Sequence, residues 1–127
     1  MALLNFPRAV SSAIPSLYDI QTAPSDFSRY TANASSSRAD IGRIIRMDST
    51  SNMTVTLNIN GVDGSANFRV GDWLVWTQYN TGTVTFVAGV GASLKSFNNL
   101  VAIEGRYAFV GSQYQEDNSW LLAGRLA

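Results

Sequence analysis

An all-β fold, an antiparallel β-sandwich or barrel of jelly-roll type behind an extended N-terminal arm, is predicted by three features of this sequence. Short runs of β-branched and aromatic residues alternate with polar ones, turn residues separate those runs, and no segment carries a helical period. At 127 residues the chain is long enough for one ordinary domain, so a single core is expected.

Residues 1–39 read as the arm. All three prolines, Pro7, Pro15 and Pro24, fall here, and Ala34-Ser35-Ser36-Ser37 closes the stretch. Proline interrupts both a helix interior and a central strand, so the pieces between are too short to stand alone. The composition is nevertheless apolar, with Leu3, Leu4, Phe6, Val10, Ile14, Leu17, Tyr18, Ile20, Phe27 and Tyr30. Such a segment is expected to order itself on a surface, either a partner's or that of its own domain.

Residues 40–127 read as the β domain. Ile41, Arg43 and Ile45 point to one side of a first strand and Ile44 and Arg46 to the other. After the polar turn at residues 48–52, Met53, Val55, Leu57 and Ile59 alternate with polar neighbours and form the clearest half-buried strand. Asn60-Gly61 and Asp63-Gly64 are turn dipeptides. Residues 68–86 then read as one β-hairpin around which the domain is organised. Trp73, Val75, Thr77 and Tyr79 alternate with Leu74, Trp76 and Gln78, Thr83 to Phe86 return, and Asn80-Thr81-Gly82 fits a three-residue loop with Gly82 in the left-handed conformation. Further strands are expected at residues 92–95, 100–104, 107–113 and 120–126, with room for one helical turn within residues 97–103.

Charge and chemistry narrow the function classes. Charged residues make up 14% of the chain and the formal net charge is +0, so no long-range field draws it to nucleic acid or an anionic membrane, and neither is an expected partner. There is no cysteine and no histidine, which removes thiolates, disulfides and the commonest general base and metal ligand. No enzymatic activity, metal or cofactor is expected. No apolar run reaches the ~20 residues of a membrane helix, and the opening residues lack the order of a secretory signal.

Individual motifs fall short. Residues 89–96 imitate a phosphate loop, but Leu94 stands where either fingerprint needs glycine. Asn58, Asn60, Gly61 and Asp63 echo a calcium loop in which Val62 occupies a ligand position. Glu104, Glu116 and Asp117 are the carboxylates from which a glycosidase pair could be drawn. Trp73, Trp76, Tyr79 and Trp120 are expected in the core or in a subunit interface, the alternative being a platform for sugar rings. Asn33-Ala34-Ser35 and Asn52-Met53-Thr54 are glycosylation sequons, which matter only in a secretory pathway.

Taken together, Phe68, Gly71, the run from Trp73 to Gln78, the run from Gly82 to Gly91, Leu100, Gly105, Tyr107, Val110, the run from Trp120 to Gly124 and Leu126-Ala127 resemble a small all-β module of tailed-bacteriophage structural proteins. The likeness covers residues 66–127 and departs at Trp73 and Trp76, where smaller aliphatic or polar residues are expected. It implies a capsid decoration (cement) or head-fibre protein, a homotrimer on the outer capsid surface of the virion whose partner is the major capsid protein. In that role Leu3, Leu4, Phe6, Ile14, Leu17 and Tyr18 would belong to the capsid-binding arm, and Trp73, Trp76, Tyr79 and Trp120 to the trimer interface or core. The alternative is a tail-associated carbohydrate- or receptor-binding module.

Overall fold

The computed structural model describes residues 27–62, 64 and 66–127. Where the sequence alternates most strictly, the structure obeys it: Met53, Val55 and Leu57 are buried while Thr54 and Thr56 stay half-exposed. The described residues form β1 (Phe27–Tyr30), β2 (Ala34–Ser35), β3 (Ile44–Met47), β4 (Met53–Leu57), β5 (Trp73–Gln78), β6 (Val84–Ala88), β7 (Ser93–Lys95), β8 (Phe109–Tyr114) and β9 (Ser119–Gly124). Short 3-10 turns lie at Arg38–Asp40 and Phe97–Asn99. The fold is all-β, with a six-stranded sheet in the order β1-β3-β5-β8-β9-β7 and a three-stranded sheet in the order β2-β4-β6.

The strands enter these sheets alternately. β1, β3 and β5 lie parallel in the larger sheet, and β2, β4 and β6 lie parallel in the smaller one. The chain therefore passes from the larger sheet to the smaller in three stacked rungs, a short β-solenoid. β8 pairs antiparallel with β5 and β9 antiparallel with β8, closing one end of the stack, and β7 joins the far edge parallel to β9. The pairing is thus mixed, where uniformly antiparallel pairing was expected.

The expected hairpin at residues 68–86 does not form, because β5 and β6 belong to different sheets. Each pairs with the equivalent strand of the preceding rung: Ile44 with Val75 in one sheet and Val55 with Phe86 in the other, 31 positions apart in both. The turn at residues 79–83 stacks directly on the turn at residues 48–52. A Cβ on Gly82 would stand 2.0 Å from the Ser51 carbonyl oxygen and 2.6 Å from that of Ser49. Gly82 is therefore required by the close approach of two turns, and it is not among the glycines with positive φ. Two asparagines extend the ladder into these turns: Asn33 Oδ1 accepts from the Thr54 N–H at 2.9 Å and Asn52 Oδ1 from the Thr83 N–H at 3.0 Å. Their side chains are engaged in stacking the rungs, whatever their sequon pattern suggests.

The domain boundary moves as well. Residues 27–39 were assigned to the arm, yet β1 and β2 are the first rung. Asp40 fastens them: its carboxylate is buried, accepting from the Ser28 hydroxyl and, at 2.6 Å, from the Tyr30 hydroxyl. Burial, then the bond to Asp40, pushes the Tyr30 phenol up from 10.0 to about 12. The folded chain thus holds this proton more tightly than the unfolded chain. The stabilisation is complete below pH 10 and is lost as pH rises through 10 toward about 12. Urea midpoints measured across that window should fall more steeply for the native chain than for Tyr30→Phe, and parallel slopes would disprove the coupling.

Between the sheets, Ile45, Met47, Leu74, Trp76 and Val110 meet Met53, Val55, Leu57, Val84 and Phe86 in one core. The Trp76 and Phe86 rings meet edge to face at 5.9 Å, and Trp76 Nε1 donates to Ser112 Oγ at 2.9 Å. A second aromatic group closes the core, with Trp120 4.9 Å from Phe68 and 5.1 Å from Tyr114 between ring centroids.

Candidate functional site

The sheet parity that buries Ile45 and Met47 turns Ile44 and Arg46 outward, and the same parity on β5 buries Leu74 and Trp76 and turns Trp73, Val75 and Thr77 the other way. With Phe27 on β1 and Phe109 on β8, these residues make the outer face of the six-stranded sheet. In register, Phe27, Ile44, Val75 and Gly111 form one row across it, and Arg29, Arg46, Thr77 and Phe109 the next.

This face is apolar, aromatic and exposed. Phe27, Ile44, Trp73, Tyr79, Tyr107 and Phe109 each leave more than a third of their surface to solvent. The Arg46 guanidinium is sandwiched at its centre, 3.9 Å from the Phe27 ring centroid and 4.5 Å from that of Tyr79. Tyr79 meets Tyr107 edge to face at 5.7 Å, and Arg106 caps Tyr107 at 4.8 Å. Tyr107 is held at φ 69°, a left-handed conformation uncommon for a bulky residue, with its N–H donating to the Gln78 carbonyl at 2.6 Å. Trp73 lies flat over Gly111, where a Cβ would come within 2.9 Å of the indole. A hollow of about 140 Å³ opens between Ile44, Arg46, Thr77, Tyr79, Tyr107 and Phe109.

A larger and shallower hollow of about 340 Å³ adjoins it, lined by Glu104, Gly105, Arg106, Tyr107, Ala108 and Arg125. Its only carboxylate is already paired with Arg125, whose hydrogen bond and charge hold Glu104 below the usual carboxylate range. Asp117 is likewise held low by Lys95 at 2.6 Å and by Ser119. Both carboxylates are therefore neutralised locally, each by its own cation, an arrangement unlike an acid and base sharing a substrate. Among the described residues no group of three or more acidic, His or Cys side chains is placed to hold a metal ion. Asn60 brackets the Phe68 backbone, donating through Nδ2 and accepting through Oδ1 at 2.8 Å each, and the Asn58 carbonyl accepts from Trp120 Nε1 at 3.2 Å. That loop thus serves the backbone; Asp63 lies outside the described residues. Gly91 takes φ 78° and leads into β7, so the glycine-rich stretch is a turn between strands.

The four aromatics grouped by the sequence divide into two kinds. Trp76 and Trp120 are 0% exposed in the chain's own core, whereas Trp73 is 40% exposed and Tyr79 37%. The expected arm residues Leu3, Leu4, Phe6, Ile14, Leu17 and Tyr18 lie outside the described residues. Sequence reasoning missed Phe27, Ile44, Arg46, Tyr107 and Phe109 as members of one face. For Ile44 and Arg46 the signal was there, since strand parity alone sets them opposite Ile45. For Phe27 and Phe109 it was not, because their proximity depends on which strands pair. No protein-family model matches this chain, and no curated protein matches it.

Proposed function

We propose that this chain is a structural protein of a tailed-bacteriophage virion, a capsid decoration (cement) protein that sits on the outer capsid surface as a homotrimer. Its outer sheet face and N-terminal segment together engage the major capsid protein and the neighbouring copies. The observation that carries this proposal is the exposed aromatic face with Arg46 and Arg106 set against its rings. Tyr, Trp, Phe and Arg are the residues enriched at protein interfaces and at their energetic centres, and a contiguous apolar patch on a soluble chain marks a place of contact. A chain without net charge reaches its partner by surface fit and not by long-range attraction. The resemblance of residues 66–127 to phage modules supplies the biological setting.

Exposure of Trp73, Tyr79 and Tyr107 also favours a second reading, a carbohydrate- or receptor-binding module of a tail. Sugar sites add to the ring platform carboxylates and carboxamides that take up hydroxyl hydrogen bonds, yet the hollow offers only Thr77, Arg46 and the tyrosine hydroxyl groups. An apolar peptide surface suits it better.

Sedimentation at micromolar concentration should report three copies of the 13.8 kDa chain. Added to undecorated capsids of its own particle, Trp73→Ala and Tyr107→Ala should each weaken occupancy roughly 30-fold, equivalent to ~2 kcal/mol at an interface centre. A monomer with unchanged occupancy in both variants would reject the proposal, and saturable glycan binding lost in the same variants would establish the second reading.

A further inference from the structure

We propose that residues 10–18 of this chain form one more rung, closing the open end of the solenoid, with residues 10–13 parallel to β1 and residues 17–18 parallel to β2. The opposite end of the stack is closed by β8 and β9, but at this end β1 and β2 are terminal in both sheets, and among the described residues no strand pairs with their far sides. The Tyr30 carbonyl and the Ser36 N–H face the next rung, bonding Asp48 and Thr56. By alternation along a strand, Arg29 and Ser35 turn their N–H and C=O groups outward. Two parallel edges left bare at one end are a template for another strand.

The segment that precedes Phe27 has the length and the pattern to fill that template. One rung of the larger sheet follows the last by 17 positions, Phe27 pairing with Ile44, and 26 residues lie upstream of Phe27. The same step sets Val10 beside Phe27 and Ser12 beside Arg29. A turn as long as that of residues 31–33 then spans residues 14–16 and sets Leu17 beside Ala34, which is 8% exposed and lacks an outer neighbour. In this register Pro15 falls in the turn, and Pro7 and Pro24 fall in the connections one rung apart. No proline has to donate to a ladder, which is the condition under which this proline-bearing stretch can pair at all. Leu3, Leu4 and Phe6 precede the rung and remain for the capsid contact. The inference concerns the isolated chain and stands or falls without any capsid.

Two measurements on the full chain test it. Amide hydrogen exchange needs no substitution: the Arg29 and Ser35 amides should exchange at least about 100-fold more slowly than unstructured amides, like those of a paired strand. Exchange at the unstructured rate would overturn the proposal. Because the chain has no cysteine, disulfide mapping is clean. Ser12→Cys with Arg29→Cys places two thiols on neighbouring, in-register strands, within the span a disulfide bridges. The bridge should form within one chain, while Ser11→Cys with Arg29→Cys, whose side chains leave opposite faces, should not close. A bridge only between chains would mean that a second copy occupies the edge, and no bridge would mean that the register is wrong; either result overturns the proposal.

Discussion

Trp76→Ala is expected to lower the unfolding free energy by about 3–5 kcal/mol, the range for deleting a large aromatic from a packed core. The indole is 0% exposed and meets Phe86 across the gap between the sheets, so its removal opens a cavity bounded by both. It also removes the donor to Ser112 Oγ, a hydroxyl that is itself 0% exposed and would keep only a long contact, 3.4 Å, to the Leu74 carbonyl. Trp73→Ala is the control. That ring lies on the outside of the same strand, and its loss should cost less than ~1.5 kcal/mol because little surface returns to water. Urea denaturation followed by circular dichroism separates the two, and equal costs would mean that the faces of β5 are assigned the wrong way round.

Gly82→Ala should cost ~3 kcal/mol, although it adds a single methyl group to a solvent-facing turn. The new carbon would overlap the Ser51 carbonyl oxygen, and backbone on both sides belongs to stacked rungs that cannot separate without breaking the Gly82 N–H bond to the Ser49 carbonyl at 2.9 Å. Gly105→Ala, where no atom lies within 4 Å of the added carbon, should stay within ~0.5 kcal/mol of the native chain. If the two variants proved equally stable, the turns would not be stacked, and an ordinary hairpin between β5 and β6 would again be admissible.

That contrast also marks what the sequence could reveal. Alternation in residues 53–57 and 73–78 exposed the strands, because a one-residue period of two is a local property of a pleated chain. Pairing is not local. Asn80-Thr81-Gly82 between two β-branched runs has the composition of a hairpin loop, and nothing in those three residues states that the strands on either side part company into separate sheets. The telling signal was longer: Met53-Thr54-Val55 recurs as Val84-Thr85-Phe86 at the same 31-position step that joins Ile44 to Val75. A search for repeats, and not for hairpins, is what detects a stack of rungs. The candidate face was hidden for the same reason. Tyr107 reaches it only because a left-handed backbone turns it there, a choice that no side-chain pattern announces.

A stack whose layers repeat can be lengthened without redesign. Because the second and third rungs superpose their turns and keep one step in both sheets, duplicating 31 residues would insert a whole layer and leave the closing strands β8 and β9 bonded to the same kind of neighbour. Each inserted layer would raise one end of the molecule above the other by the inter-strand spacing, about 4.8 Å. Height then becomes a quantised property of the chain, adjusted by copying, whereas the aromatic face widens by one strand each time. A protein that must stand at a fixed distance above a shell carries in such a stack its own graduated ruler.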